Sequence, residues 1–116
     1  MRLIIKTKLN LECIRIFNDN QFFGLVDIFV GFSDNTAIFG SGWIPPIEAR
    51  GATERNWYRL AIDVNGKPIS TDIFKDSFTW EMAITIAKHL GEINGLDAVL
   101  ALNLLIPRKF YEAIDK

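Results

Sequence analysis

One stretch, Gln21–Phe32, constrains the fold most, because a strand formed by it would be apolar on both faces. With a period of two residues, one face consists only of apolar residues and glycine. The other face has a single carboxylate, Asp27, between Phe23 and Phe29. Since an antiparallel strand with one face in water alternates apolar and polar side chains, this strand needs cover on both faces. The cover could be a helix of the same chain, a second copy of the chain or a different protein.

Length and composition predict one domain over residues 1–116, because 49% of the residues are hydrophobic, enough for one buried core. The 13 basic and 14 acidic residues are balanced along the chain, so no nucleic-acid surface is expected. Cys13 is the only cysteine, which excludes an internal disulfide. The sequence shows neither a signal peptide nor an apolar run of about 18 residues that could cross a membrane. We therefore expect a cytoplasmic protein that does not bind membranes.

The first two thirds of the chain alternate apolar and polar residues and predict a meander of about five strands. These strands run over Leu3–Phe17, Gln21–Phe32, Ala37–Ile44, Trp57–Val64 and Lys67–Phe74. The Asn65-Gly66 pair accepts positive φ at both residues and predicts a hairpin turn between the last two strands. Gly40 and Gly42 indicate a bend, or a place where another group approaches the backbone closely.

The last third of the sequence predicts two helices with an apolar segment between them. Phe78, Met82, Ile86 and Leu90 recur every four residues, which is typical of an amphipathic helix over residues 76–93. The apolar run Leu96–Ile106 fits a strand or a buried helix, and the Asn94-Gly95 pair before it favours a strand. Residues 107–116 predict a short C-terminal helix. The expected fold class is therefore α+β: an antiparallel meander sheet of about five strands, then one long amphipathic helix, an apolar strand (or helix) and a short C-terminal helix.

Catalytic equipment is sparse in this sequence. His89 is the only histidine, so no histidine or cysteine cluster for a metal exists, although His89 and Glu92 could act as a general base pair. The glycine-flanked Ser41 lacks the spacing of a nucleophile elbow or a phosphate loop. We expect no catalytic residue, no metal and no cofactor, and thus not an enzyme.

Asp27 and one polar loop are the candidates for a binding surface. Asp27 could form an ion pair with Arg15 or Arg59, could be turned outward by a bulge, or could receive a cationic group from a partner. The loop from Glu48 to Trp57 is rich in charge and aromatic character, and tryptophan and arginine are common at binding hot spots. The candidate partner-binding residues are Phe23, Asp27, Phe29, Trp43, Glu48, Arg50, Glu54, Arg55 and Trp57.

Three functions are compatible with these features. The leading hypothesis is a small bacterial protein-binding module that acts by occlusion, an inhibitor that resembles immunity proteins in its organisation and neutralises a toxin with a basic site. The alternative is a homo-oligomeric structural or small-ligand-binding domain that uses the apolar strand face. The third is a small enzyme that uses His89.

Overall fold

The computed structural model describes residues 2–21, 24–46, 48, 51–76, 79–107 and 109. These residues form a six-stranded antiparallel sheet with a long helix on one face and a shorter helix on the other. The elements in chain order are α1 (Arg2–Asp19), β1 (Leu25–Phe32), β2 (Ala37–Phe39), a 3₁₀ turn (Ala52–Glu54), α2 (Asn56–Val64), β3 (Ile69–Ser70), β4 (Phe74–Lys75), β5 (Met82–Ile93) and β6 (Leu96–Leu105). The strands lie in the order β2-β1-β6-β5-β3, and β4 also pairs with β5.

Both faces of β1 are covered by helices of the same chain. On one face, Ile28, Val30 and Phe32 pack in a core that includes Cys13 of α1. On the other face, Phe29 packs in a core with Trp57 and other residues of α2. The strand β1, which is apolar on both faces, is therefore a central strand of a three-layer arrangement. It needs no second copy or partner to cover its faces.

The predicted order of elements was wrong, although the protein is α+β in the broad sense. Residues 3–17 were expected to form strands but belong to α1. The buried or packed residues Leu9, Cys13, Ile16 and Phe17 follow the helical spacing i, i+4, i+7, i+8. Leu9 and Cys13 also fit a period of two, which is why a strand was predicted, but Leu11 between them is 61% exposed.

The segment Trp57–Val64 was also predicted as a strand and is α2. It buries Trp57, Tyr58 and Ala61, the spacing of a helix, and leaves Leu60 and Val64 40% exposed. Asn65 ends α2 in the left-handed conformation, with φ of 43°. The positive φ expected for this residue is thus correct, but it serves a helix C-cap and not a hairpin.

The predicted helix over residues 76–93 is mostly strand β5, with residues 77 and 78 outside the described part of the chain. A spacing of four residues places side chains on one face of a helix, but also on one face of a strand. In β5 the buried residues Ala83, Thr85 and Ala87 alternate with less buried ones, which is a period of two. The pairing with β6 along its length outweighs the helical tendency of the isolated sequence.

Other expectations were met. Residues 96–105 form a strand, joined to β5 by a turn in which Asn94 and Gly95 both have positive φ. Gly40 is a site of close approach, because a Cβ there would stand 2.6 Å from the carbonyl oxygen of Cys13. The absence of a side chain at Gly40 thus lets α1 lie against the turn after β2. Of the expected C-terminal helix, residues 108 and 110–116 lie outside the described residues.

Candidate functional site

A cavity of about 950 Å³ lies on the α2 face of the sheet. Its walls come from β1 and β2, from the connection that follows β2, from the start of α2, and from single residues of β5 and β6. The residues Phe74 to Asp76, at and after β4, line it as well. This volume is at the upper end of the usual range for small-molecule sites, about 300–1,000 Å³.

One wall of the cavity is aromatic. The ring of Phe29 stacks on Phe39 with 5.0 Å between centroids, and it meets the Trp57 ring edge-on at the same distance. Trp43 continues the series with an edge-on contact to Phe39 at 4.9 Å. We call these four residues the aromatic wall. It offers a rigid apolar surface to the aliphatic or aromatic part of a ligand.

A row of polar residues crosses the sheet within the cavity. Asp27 on β1 lies opposite Asn103 on β6, and Asn103 lies opposite Thr85 on β5, so their side chains share one face. The Thr85 hydroxyl donates to Oδ1 of Asn103 at 2.6 Å. Among the described residues, the Asn103 Nδ2 has no acceptor. That nitrogen can therefore donate to a ligand.

Asp27 is 8% exposed and is held by neutral donors. Its Oδ1 accepts the backbone N–H groups of Ile28 at 2.8 Å and Ser41 at 3.0 Å, and its Oδ2 accepts the Ser41 hydroxyl at 2.5 Å. No lysine or arginine of the described residues forms an ion pair with Asp27. Arg15, one of the expected partners, bonds Glu12 on α1 instead. Asp27 is thus a buried carboxylate in the cavity wall without a counter-charge from the described chain.

A second carboxylate, Asp76, follows β4 and is 3% exposed. Its Oδ2 accepts the backbone N–H and the hydroxyl of Thr79, at 2.8 and 2.9 Å. Its own backbone N–H donates to the carbonyl oxygen of Glu81. Asp76 therefore closes the turn into β5, and the residue lines the cavity at the same time.

The positive groups of the cavity are exposed, in contrast to the carboxylates. Arg55 is the residue that precedes α2, and among the described residues its guanidinium has no ion-pair partner. The first N–H groups of α2 and its dipole favour a negative group at this end. Lys75 also lines the cavity, but its ammonium stands 4.9 Å from the ring centroid of Trp80.

Five of the nine candidate residues line the cavity, namely Asp27, Phe29, Trp43, Arg55 and Trp57. Glu48 and Glu54 are exposed and take no part in its walls, while Phe23 and Arg50 lie outside the described residues. The sequence reasoning missed Asp76, Thr85 and Asn103. Asn103 carries a signal that could have been used, because it is the one polar residue in the apolar run over residues 98–106, as Asp27 is within β1.

His89 lies away from the cavity. Its Nδ1 is 3.1 Å from Oδ1 of Asn65 at the end of α2, and its Nε2 is 3.0 Å from Oδ1 of Asp97 on β6. The ring therefore joins α2 to the β5–β6 hairpin. The described residues include no group of three histidine, cysteine, aspartate or glutamate side chains placed to hold a metal ion. Within the same residues, no helix has the length and apolar character needed to span a membrane.

No protein-family model and no curated protein matches this sequence. Several solved structures share its fold. The ligand-binding domain of the Pseudomonas aeruginosa amino acid chemoreceptor PctC, in complex with GABA, has a TM-score of 0.60 and 20% identity, over 78% of this chain and 40% of that chain. The ligand-binding domain of Mlp24 with asparagine has a TM-score of 0.59 and 18% identity, over 90% and 50% of the two chains.

A third structure is the ligand-binding domain of the Pseudomonas aeruginosa chemoreceptor PctB in complex with L-Arg. It has a TM-score of 0.57 and 18% identity, over 71% of this chain and 32% of that chain. At these identities the likeness is one of fold. The chain spans half or less of the length of each of these three structures.

The prediction of an immunity-type inhibitor with a toxin as its partner was wrong. The three solved structures described above are ligand-binding domains in complex with small molecules. The surface expected to meet a toxin is largely the wall of a cavity. These neighbours are ligand-binding domains, in agreement with the expectation that this chain is not an enzyme. The cytoplasmic location and the single domain over residues 1–116 stay predictions.

Proposed function

We propose that this chain is a sensory domain that binds a small zwitterionic ligand, of the amino-acid type, in the cavity on the α2 face of the sheet. The observation that carries the proposal is the separation of charge in the cavity. An arginine without an ion-pair partner among the described residues lies with the start of α2 at one part of its rim, and two buried carboxylates belong to residues of its walls. This arrangement is complementary to a molecule with one negative and one positive end.

The negative end of the ligand is assigned to Arg55 and the start of α2. A guanidinium binds a carboxylate through two parallel N–H donors, and such charge-assisted bonds are the stronger class of hydrogen bond. The dipole of α2 adds to the attraction, because its positive end lies at Asn56. Arg55 is exposed, so a ligand can reach its guanidinium.

The positive end of the ligand is assigned to the polar side of the cavity at Asp76. A buried carboxylate attracts an ammonium group strongly because little water screens it. The aromatic wall forms another part of the cavity and favours an apolar ligand body. The neighbours in complex with GABA, asparagine and L-Arg support the same class of ligand.

The test is thermal unfolding of the purified chain with each L-amino acid and with GABA. A ligand present at about 100 times its Kd adds about 2.7 kcal/mol to the free energy of unfolding. For 116 residues this corresponds to a rise in Tm of roughly 10 °C. We expect such a rise for a subset of these compounds, and none for sugars of the same size.

The variant Arg55→Ala should abolish the rise in Tm, since it removes the partner of the ligand carboxylate. Arg59→Ala is the matched control, because Arg59 lies on the exposed side of α2 and takes no part in the cavity walls. The proposal fails if no amino acid or GABA shifts Tm, or if the two variants lose the shift alike.

A further inference from the structure

We propose that Asp27 binds a second cationic group, at the end of the ligand side chain, so that the preferred ligands are basic amino acids such as lysine and arginine. This inference rests on the proposed function and names the ligand class of the same cavity. It starts from a carboxylate that the fold buries and that the described chain does not neutralise.

The hydrogen bonds of Asp27 explain its position but not its charge. Ser41 and the backbone of Ile28 supply three donors, all of them neutral. An asparagine could accept the same N–H groups through its oxygen and hold the same turn. A buried carboxylate is costly unless it is paired, and the cost is repaid when a cation binds beside it. The turn does not require the negative charge of Asp27, whereas binding of a cation does.

The aromatic wall leads directly to this carboxylate. Phe29 lies two residues after Asp27 on the same face of β1, and Phe39 pairs with Phe29 across the hairpin. Ser41, which bonds Asp27, lies two residues after Phe39. An apolar surface that ends in a carboxylate is complementary to an aliphatic stem that ends in a cation. The faces of the aromatic rings also attract cations.

Asp27 is too far from the other carboxylate to share one cation with it. In the sheet, β1 and β4 are separated by β6 and β5. Three spacings of about 4.8 Å place the two strands about 14 Å apart. A ligand ammonium at Asp76 thus leaves Asp27 for a second cation, and the long side chains of lysine and arginine carry one at their ends.

Calorimetric titration with matched pairs of ligands tests the inference on the unmodified protein. L-Lysine is compared with L-norleucine, which keeps the stem and lacks the ammonium, and L-arginine with L-citrulline, which keeps the shape and lacks the charge. We expect at least one basic ligand to bind tenfold or more tightly than its neutral counterpart. Equal or weaker binding of both basic ligands would overturn the role of Asp27.

Variants then locate the effect. Asp27→Asn should weaken binding of the basic ligand about tenfold or more and leave the neutral counterpart within about threefold, which a merely structural role would not do. Ser41→Ala, which removes a donor and keeps the charge, should preserve the ratio between the two ligands. A parallel loss for both ligands in Asp27→Asn contradicts the inference. Norleucine binding without preference for lysine would overturn the inference and leave the proposed function standing. Binding of none of the four would also overturn the inference, whereas the proposed function is decided by the thermal unfolding test over all L-amino acids and GABA.

Discussion

The Trp57 ring occupies the space next to Gly31 where a side chain would stand. A Cβ built on Gly31 would lie 2.6 Å from Cη2 of Trp57 and 2.9 Å from the Cβ of Ala52. The start of α2 and the 3₁₀ turn thus pack directly on the backbone of β1. This contact sets the distance between α2 and the sheet, and with it the position of Arg55 at the rim of the cavity.

Gly31→Ala should therefore push Trp57 away from β1. Overpacking of this kind costs about 1–3 kcal/mol, and we expect a loss of this size in the free energy of unfolding measured in urea. Trp57→Phe in the same background should recover part of the loss, because the smaller ring leaves room for the methyl group. Additive effects of the two substitutions would contradict the contact.

A second prediction concerns the loss of stability at low pH. Asp34, in the turn between β1 and β2, forms an ion pair with Lys6 of α1 at 2.6 Å. Partial burial acts to raise the pKa of Asp34, but hydrogen bonds from Lys6 and Thr36 outweigh it and hold the pKa below its usual value. A depressed folded pKa stabilises the protein above the unfolded pKa of about 3.9, and this stability is lost as the pH falls through the folded value.

Asp34→Asn should accordingly cost a few tenths to about 1 kcal/mol at pH 7, the usual size for an exposed pair. The cost should shrink as the pH falls below about 4. Urea unfolding at pH 7 and at pH 3 measures the difference. Asp63→Asn, at an exposed residue of α2 outside this pair, is the control. An equal cost for Asp34→Asn at both pH values would show that the ion pair does not contribute.

Turn residues could be predicted from the sequence more reliably than the elements between them. Asn65 and Asn94 both have the positive φ that an Asn-Gly pair indicates, yet one ends a helix and the other joins two strands. That φ is a local property of the residue. Whether helix or strand precedes it depends on pairing with distant strands, which no local pattern records.

The site was predictable in part for a related reason. A polar residue inside an apolar run stands out in the sequence, and Asp27 was singled out in this way. Its neighbours in the cavity, Asn103 and Thr85, come from strands that are remote in the sequence. Because β5 was expected to be a helix, the alignment of these three residues on neighbouring strands could not be predicted.

Cys13 offers a test of how tightly α1 packs on the sheet. Burial, with smaller contributions from the charges of Asp27 and Glu12, raises the pKa of the thiol from 9.0 to about 11. Since the thiolate is the reactive form, a rise of two units lowers the reactive fraction about 100-fold. Labelling by a thiol reagent at pH 8 should be at least that much slower in the folded protein than in guanidinium. Comparable rates would show that α1 opens readily.

The last prediction separates stability from binding at His89. This residue bridges Asn65 and Asp97, and its side chain is only 11% exposed. His89→Ala removes both hydrogen bonds while leaving the two partners accessible to water, so a loss of about 1 kcal/mol in the free energy of unfolding is expected.

Lys88→Ala, at the exposed residue next to it on β5, is the control and should cost less. Because His89 lies outside the cavity walls, His89→Ala should leave the Kd of any amino-acid ligand within about threefold of its original value, or less than about 1 kcal/mol. A selective loss of ligand binding at unchanged stability would instead assign His89 to the binding site. Since its ring joins the far end of α2 to the sheet, the expected pattern is the reverse, a loss of stability with the cavity intact.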